Sequence, residues 1–341
     1  MITINDIATL AGVSKSTVSR VLTNRGYVNE ETRKRINAVI RESGYQPSES
    51  ARNLSKKETN TIGVIVPEIG NSFYSEVLQG ISEIIDENDL TIIYCNTDND
   101  AVKEEKALQM MKRQRVRGIV LAPAIDYAEK SEVTENLRRL LDKLNAPVVL
   151  LDRDVENSGL DKVMYDNSGS GYRATKELIE AGNDRIGIIT GNLELKIARD
   201  RYDGYCKAMK EYNMPILKKD IFHGDFTIQT AYKISKKIFM KKDRPRAFLT
   251  CNNMTTLGFL RAVREKNMKL GREIAMIGID HVDVLDIIDY KYSYVTRDTV
   301  EMGRKTMRLL INRISDPKIQ QQTCIMPYQL VLKGAEFCEL I

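Results

Sequence analysis

The chain has 341 residues, 42% of them hydrophobic and 29% charged, with a formal net charge of +5. That length suits two or three domains with real cores, and no run of about eighteen apolar residues is present to form a membrane span. The excess charge sits at the front: residues 1–57 hold 10 Lys and Arg against 5 Asp and Glu, and the remainder is balanced. A small basic head on a neutral body points to a polyanion-binding module joined to something else.

Residues 3–43 read as three short helices. Thr3 is placed to cap the first, with Asp6 where a reciprocal cap belongs. Ile4, Ile7, Ala8 and Leu10 supply its apolar side, and Ala11-Gly12 breaks it. The second helix runs from about Ser14 to Leu22. The third starts after Asn29, a good N-cap, and stops at Gly44. In the second helix, helical spacing puts Thr17, Val18, Val21 and Leu22 on one side and Lys15, Ser16, Ser19 and Arg20 on the other. The outer side is short, polar and cationic, as a helix entering the major groove requires. Pro47 ends regular structure, and "SESARNLSKKETN" (48–60) is polar enough to be a linker.

From residue 61 short apolar runs alternate with helix-like segments: "TIGVIVP", "TIIYCNT", "GIVLAPA", "PVVLLDR", "KVMYDN", "RIGIITG", "RAFLTCNN" and "AMIGID". Alternating strands and helices imply doubly wound parallel sheets, and the number of strands implies two similar subdomains. Ligands of such sheets bind at the carboxyl ends of the strands. Those ends hold Asn96-Thr97-Asp98, Asp152-Arg153, Asp166-Asn167, Gly191-Asn192, Asn252-Asn253 and Asp280. Carboxylates, amides and a guanidinium in one place suit a hydroxylated small molecule, since each can engage two neighbouring hydroxyls.

Five scattered cysteines without a CxxC pair, and only His223 and His281, argue against a disulfide framework, a zinc site or histidine chemistry. Phosphate-loop, GxSxG and HExxH motifs are missing as well. The expectation is a non-enzyme with no cofactor and no metal. "MITINDIATLAG" has no basic segment followed by an apolar run, so a cytoplasmic protein is expected.

The pattern "TINDIATLAGVSKSTVSRVL", with "GYQPS" after it, resembles the head of the lactose-repressor (LacI/GalR) family of bacterial transcription regulators. The similarity continues through "IGVIVPEIGNSFYSEVLQGI", "GDF" (224–226), "GID" (278–280) and "EMGRKTMRLLINRI" (301–314), over nearly the whole chain. It implies a helix-turn-helix DNA-binding head at 1–46, a hinge at 47–60, and an effector-binding and dimerisation body at 61–341. The body would have a periplasmic-binding-protein-like α/β fold, with one subdomain at about 61–162 plus 292–324 and the other at 163–291 plus 325–341.

The resemblance also assigns residues. DNA contacts fall on Thr3, Ser14, Lys15, Ser16, Thr17, Ser19, Arg20 and Asn24. In the hinge, Leu54 would wedge between base steps, with Ala51 beside it and Arg52 near the backbone; Ser48 could cap that helix and Glu49 is an odd charge near phosphates. Asp152, Arg201, Asn252 and Asp280 would be polar contacts to effector, with Phe73, Tyr74 and Phe226 as aromatic walls. Asp98 and Arg153 are further strand-end candidates. The stretch 185–314 is similar to purine-binding members, yet Leu195 and Ile197 stand where those place an arginine and a threonine, which favours a sugar or sugar phosphate.

The implied protein is a ligand-controlled homodimer on a pseudo-palindromic operator, with the helix near 72–87 as dimer surface and no leucine heptads for tetramers. A solute-binding protein of the same fold, or a regulator with a protein or purine corepressor, are the alternatives.

Overall fold

The computed structural model describes residues 2–23, 26–45, 59–127 and 131–339. Two compact units meet in sequence between Asn60 and Thr61. Asn24, Ser48, Glu49, Ala51, Arg52 and Leu54, the last of the expected DNA contacts and the whole expected hinge set, lie outside the described residues.

The first unit is a three-helix head: α1 (Ile4–Leu10), α2 (Lys15–Thr23) and α3 (Glu30–Ser43). The expected capping box opens α1. The Thr3 amide donates to Asp6 Oδ2 at 2.8 Å, and the Asp6 amide donates to Thr3 Oγ1 at 3.4 Å. Gly12, at φ 61°, makes the turn that a side chain would strain. The Asn29 side chain accepts from the Thr32 amide at 2.7 Å to start α3, and Gly44 ends it in the left-handed conformation. Ile7, Ala8, Ala11, Val18, Val21 and Ile36 form the buried core. Leu10 is not part of it; it is 64% exposed, because it falls off the arc that Ile4, Ile7, Ala8 and Ala11 share.

The second unit holds two six-stranded sheets. The first contains β1 (Thr61–Val66), β2 (Thr91–Asn96), β3 (Gly118–Leu121), β4 (Val148–Leu151), β5 (Asp161–Tyr165) and β11 (Thr323–Met326), in the order β11-β5-β4-β3-β1-β2. The second contains β6 (Ile186–Thr190), β7 (Ile221–His223), β8 (Ala247–Thr250), β9 (Ala275–Ile279), β10 (Ser293–Thr296) and β12 (Gln329–Val331), in the order β12-β10-β9-β8-β6-β7. The two orders are the same walk through the sheet, made twice. All pairings are parallel except β10 with β12. Near-continuous apolar strands follow from that, since both faces are covered.

Helices α4 (Ser72–Glu87) and α12 (Thr299–Ser315) cover one face of the first sheet, and α5 (Ala101–Gln114) and α6 (Glu132–Asp142) the other. The second sheet lies between α7 (Asn167–Glu180) with α8 (Lys196–Glu211) and α9 (Ile228–Phe239) with α10 (Asn253–Glu265). A short α11 (Asp283–Ile287) follows β9. Glycines let paired helices touch: a Cβ on Gly80 would lie 1.9 Å from the Val300 carbonyl, and one on Gly303 2.1 Å from that of Val77. The same device joins α7 and α8, where a Cβ on Gly171 would lie 2.2 Å from the Arg201 carbonyl.

The chain passes between sheets three times, and each passage differs from the expected boundary. The expected break at 162/163 would cut β5, which pairs unbroken with β4 from Val149↔Asp161 to Leu151↔Val163. The crossing falls after Tyr165 instead. The segment from 292 was expected in the first subdomain, but β10 pairs Ser293↔Ile277 in the second sheet, so the crossing falls after Thr296. The break at 324/325 moves past Met326, because β11 pairs with β5 through Met326↔Tyr165.

Candidate functional site

The head presents one polar face. On α2, Lys15, Ser16, Ser19 and Arg20 are exposed, while Val18 and Val21 are buried and Thr17 and Leu22 are half-buried. Ser14 belongs to the cap: its hydroxyl accepts from the Thr17 amide at 3.2 Å and lies 2.7 Å from the Ser16 hydroxyl and 2.8 Å from that of Thr17. Thr3 is likewise tied into the α1 cap. The long cationic side chains of the face are Lys15 and Arg20, five residues apart.

In the body, the strand ends of both sheets converge on a cavity of about 440 Å³, within the usual range of small-molecule sites. Phe73, Tyr74, Asp152, Arg153, Leu195, Arg201, Phe226, Asn252 and Asp280 all line it. Three of these sit where the chain turns off a strand with positive φ: Asp152 (62°), Phe226 (66°) and Asp280 (68°). Such conformations are costly for residues with a Cβ and concentrate at functional sites. Asp98 does not line the cavity. Its carboxylate is exposed and held by Asn96 and Lys103, and the next residue, Asn99, takes its place on the wall.

The floor is an ion-pair chain that includes a residue the strand-end reading passed over. Arg297 follows β10 at the crossing between sheets and is 6% exposed. Its Nη1 lies 3.0 Å from Asp152 Oδ1 and its Nη2 3.6 Å from Asp280 Oδ1. Its guanidinium stacks between Phe73 and Tyr165, 4.2 and 4.1 Å from their centroids. Burial works against its charge, but Asp152 and Asp280 outweigh that and hold its pKa above the ordinary value. The signal for Arg297 was present: "SYVTR" is one more short run ending in a charged group, disguised by two hydroxyls and a tyrosine.

Asp280 carries the chain onward, with Oδ2 3.8 Å from Arg201 Nη1. Its Oδ1, 3.6 Å from Arg297 Nη2, is buried and accepts no hydrogen bond. Arg201, on α8, donates from Nε to Asn167 at 2.8 Å and from Nη1 to the Cys251 carbonyl. Asn252 caps α10, accepting from the Thr255 amide at 2.8 Å, and its Nδ2 donates to the Phe226 carbonyl at 3.3 Å. Arg153 donates from Nη1 to the carbonyls of Pro123 and Ala124 at 3.0 and 2.8 Å. The rim adds Glu68, whose carboxyl burial pushes above its usual range, and Asp225, where hydrogen bonds from Thr227 and Thr230 outweigh burial and hold the carboxyl below it.

The polar inventory suits binding by hydrogen bonds. Six carboxylates (Glu68, Asp126, Asp152, Glu194, Asp225, Asp280) face three guanidiniums (Arg153, Arg201, Arg297). Cys251, beneath the floor, is no ready nucleophile: burial pushes its thiol up to about 12. Among the described residues no group of three or more His, Cys, Asp or Glu is arranged to hold a metal ion. No described helix is long and apolar enough to cross a membrane.

Comparison with known proteins agrees with both halves. Residues 3–48 match the family described as bacterial regulatory proteins, lacI family. Residues 59–329 match the one described as periplasmic binding proteins and sugar binding domain of LacI family. The HTH-type transcriptional repressor PurR of Vibrio atlanticus is 31% identical over 97% of each chain. The ribose operon repressor of Haemophilus influenzae is 28% identical over 98% of each. A crystal structure of the lac repressor dimer bound to operator and an anti-inducer superposes with a TM-score of 0.85 at 21% identity, covering 98% of this chain and 99% of that one. These relatives are transcriptional regulators and not enzymes. The chain belongs to the LacI family: it is a DNA-binding transcriptional regulator with a ligand-binding body.

Proposed function

We propose that this chain is a cytoplasmic, homodimeric repressor whose hold on a pseudo-palindromic operator is set by a neutral carbohydrate bound in the cleft. The observation that carries this reading is the floor itself. Asp152 and Asp280, one from each sheet, are both fixed by Arg297, and Asp280 Oδ1, which faces Arg297 across 3.6 Å, has no hydrogen bond of its own. Phe73 and Phe226 offer flat apolar surface for a sugar ring. Six carboxylates against three guanidiniums disfavour a phosphorylated ligand. Leu195 and Ile197 line the wall with no donor or acceptor for a base edge, which disfavours a purine.

Lys15 and Arg20 would meet DNA from α2, with Ser16, Ser19 and Thr17 beside them and the hinge residues Ala51, Arg52 and Leu54 adding minor-groove contacts. A ligand bridging Asp152 and Asp280 touches both sheets, so it favours one closure of the cleft. It shifts operator binding by its difference in affinity for the two closures and by nothing else.

A thermal-shift screen of the full-length protein against monosaccharides, sugar phosphates and purines tests the ligand class. A ligand at 100 times its Kd adds about 2.7 kcal/mol of stability. A shift with a neutral sugar, lost in Asp280→Asn, is the expected result. A shift with purines alone overturns the reading.

A further inference from the structure

The cleft takes up the carboxyl ends of the strands. At the opposite end of the second sheet, where the chain enters β7 and β8, lies a separate pocket of about 310 Å³ that shares no residue with the cleft. That volume is at the lower end of ordinary ligand sites, about 300–1,000 Å³. Two basic stretches meet there: "LKKD" (217–220) leads into β7, and "KKDRPR" (241–246) joins α9 to β8.

The two carboxylates of the pocket are already engaged. Asp220 is buried and receives a bidentate pair from Arg185, at 2.6 and 2.7 Å. Asp243 pairs with Arg185 and, at 2.5 Å, with Lys219. The other two cations of the wall, Lys241 and Arg244, have no carboxylate partner among the described residues. The cluster therefore sets four cations (Arg185, Lys219, Lys241, Arg244) against two carboxylates, an excess of two positive charges. Arg244 is half-buried and fixed in place: its Nη1 donates to the Pro245 carbonyl at 3.1 Å, and its guanidinium carbon lies 5.4 Å from the Phe239 ring centroid. Its guanidinium makes no other hydrogen bond among the described residues. Burial, and then the nearby Arg246, hold its pKa below the ordinary value, whereas Asp220 and Asp243 hold that of Arg185 above it. A cation drawn out of water without a counter-charge is costly, and a bound anion removes that cost. Phe222, Ile238 and Pro245 supply apolar wall beside the charges. A phosphate monoester matches all of this. It places close to two negative charges on one group, its oxygens suit a guanidinium fork and an ammonium, and its ester carries an apolar part.

We propose that this pocket is a second ligand site, which takes a small phosphate monoester with its phosphate on Arg244 and Lys241 and its apolar part against Phe222 and Pro245. The proposal is independent of the carbohydrate reading of the cleft, with which the pocket shares no residue. The test is calorimetric titration of the full-length protein, in a phosphate-free buffer at one fixed ionic strength, with inorganic phosphate, phenyl phosphate, AMP and adenosine. Inorganic phosphate should bind weakly. Phenyl phosphate or AMP should bind about tenfold or more tightly than inorganic phosphate, and adenosine should not bind. Arg244→Gln should lower the affinity for the ester about tenfold or more, the loss of a hydrogen bond to a charged group. Lys241→Glu, at an exposed position, should do the same even if Arg244→Gln disturbs folding. Failure of both esters to bind overturns the proposal, and so does an affinity for them no greater than that for inorganic phosphate. Ester binding that survives Lys241→Glu undiminished places the ligand elsewhere and also overturns it.

Discussion

The head and the body hold their functional groups in opposite ways. On α2 the polar face is exposed and contiguous, and its cations, Lys15 and Arg20, are exposed. In the cleft the floor groups come from positions as far apart as Phe73 and Arg297, are almost wholly buried, and are committed to one another before any ligand arrives. A polyanion is met by charges that stay hydrated until contact, and counterion release supplies the affinity. A small neutral ligand needs a site fixed in advance, because ordering it on binding would consume the affinity.

The comparison predicts different costs for substitution in the two places. The largest is at the floor. Arg297→Ala leaves Asp152 buried without its cation and Asp280 with Arg201 alone, and should cost about 3–5 kcal/mol of body stability in denaturant unfolding. A change below 1 kcal/mol would mean that the ion-pair chain is not structural. Gly80→Ala, which pushes a methyl group into the Val300 carbonyl between α4 and α12, should cost about 1–3 kcal/mol in the same assay.

In the head, Lys15→Ala should leave unfolding unmoved and cost about 1–3 kcal/mol of discrimination between operator and random DNA. An equal loss on both DNAs would make Lys15 a phosphate contact. Thr3→Ala removes a capping box at an exposed site and should cost the head about 1 kcal/mol, read from its own melting transition.

The smallest effect is a pH slope. Burial holds the Glu76 carboxyl above its usual range despite the hydrogen bond from Thr299. The folded state then keeps that proton longer than the unfolded chain does, so stability is lost as pH rises through the interval. Glu76→Gln should therefore gain on the wild type from about pH 4 to pH 7. A stability difference that stays constant over that range would contradict this.

The same contrast explains what could be read from sequence. The head is local: Thr3 with Asp6, Asn29 with Thr32, and the two sides of α2 are all fixed within a few residues, so caps and faces are legible directly. Eight of the body's first nine strands, all but β7, announce themselves as apolar runs, and their ends carry most of the cavity wall. What is not legible depends on contacts distant in sequence. Strand β10 contains a serine, a tyrosine and a threonine and is a strand because Ser293 pairs with Ile277 and Tyr294 with Gly278; hence both Arg297 and the true crossing point were hidden. Asp98 has the right residue type at a strand end, but Lys103, five positions on, draws its carboxylate out to solvent. A local competitor decided its place, and residue type alone does not reveal which competitor wins.

The central claim is that occupancy of the cleft sets the hold on DNA. Its most direct test is operator affinity of the full-length protein, measured by fluorescence anisotropy at one fixed salt concentration on a duplex selected from random sequence, with and without the carbohydrate that raises its melting temperature. The account predicts a change of about fivefold or more, a coupling of at least 1 kcal/mol, which disappears in Asp280→Asn while operator binding itself persists. A carbohydrate that binds the cleft and leaves operator affinity unaltered would contradict it.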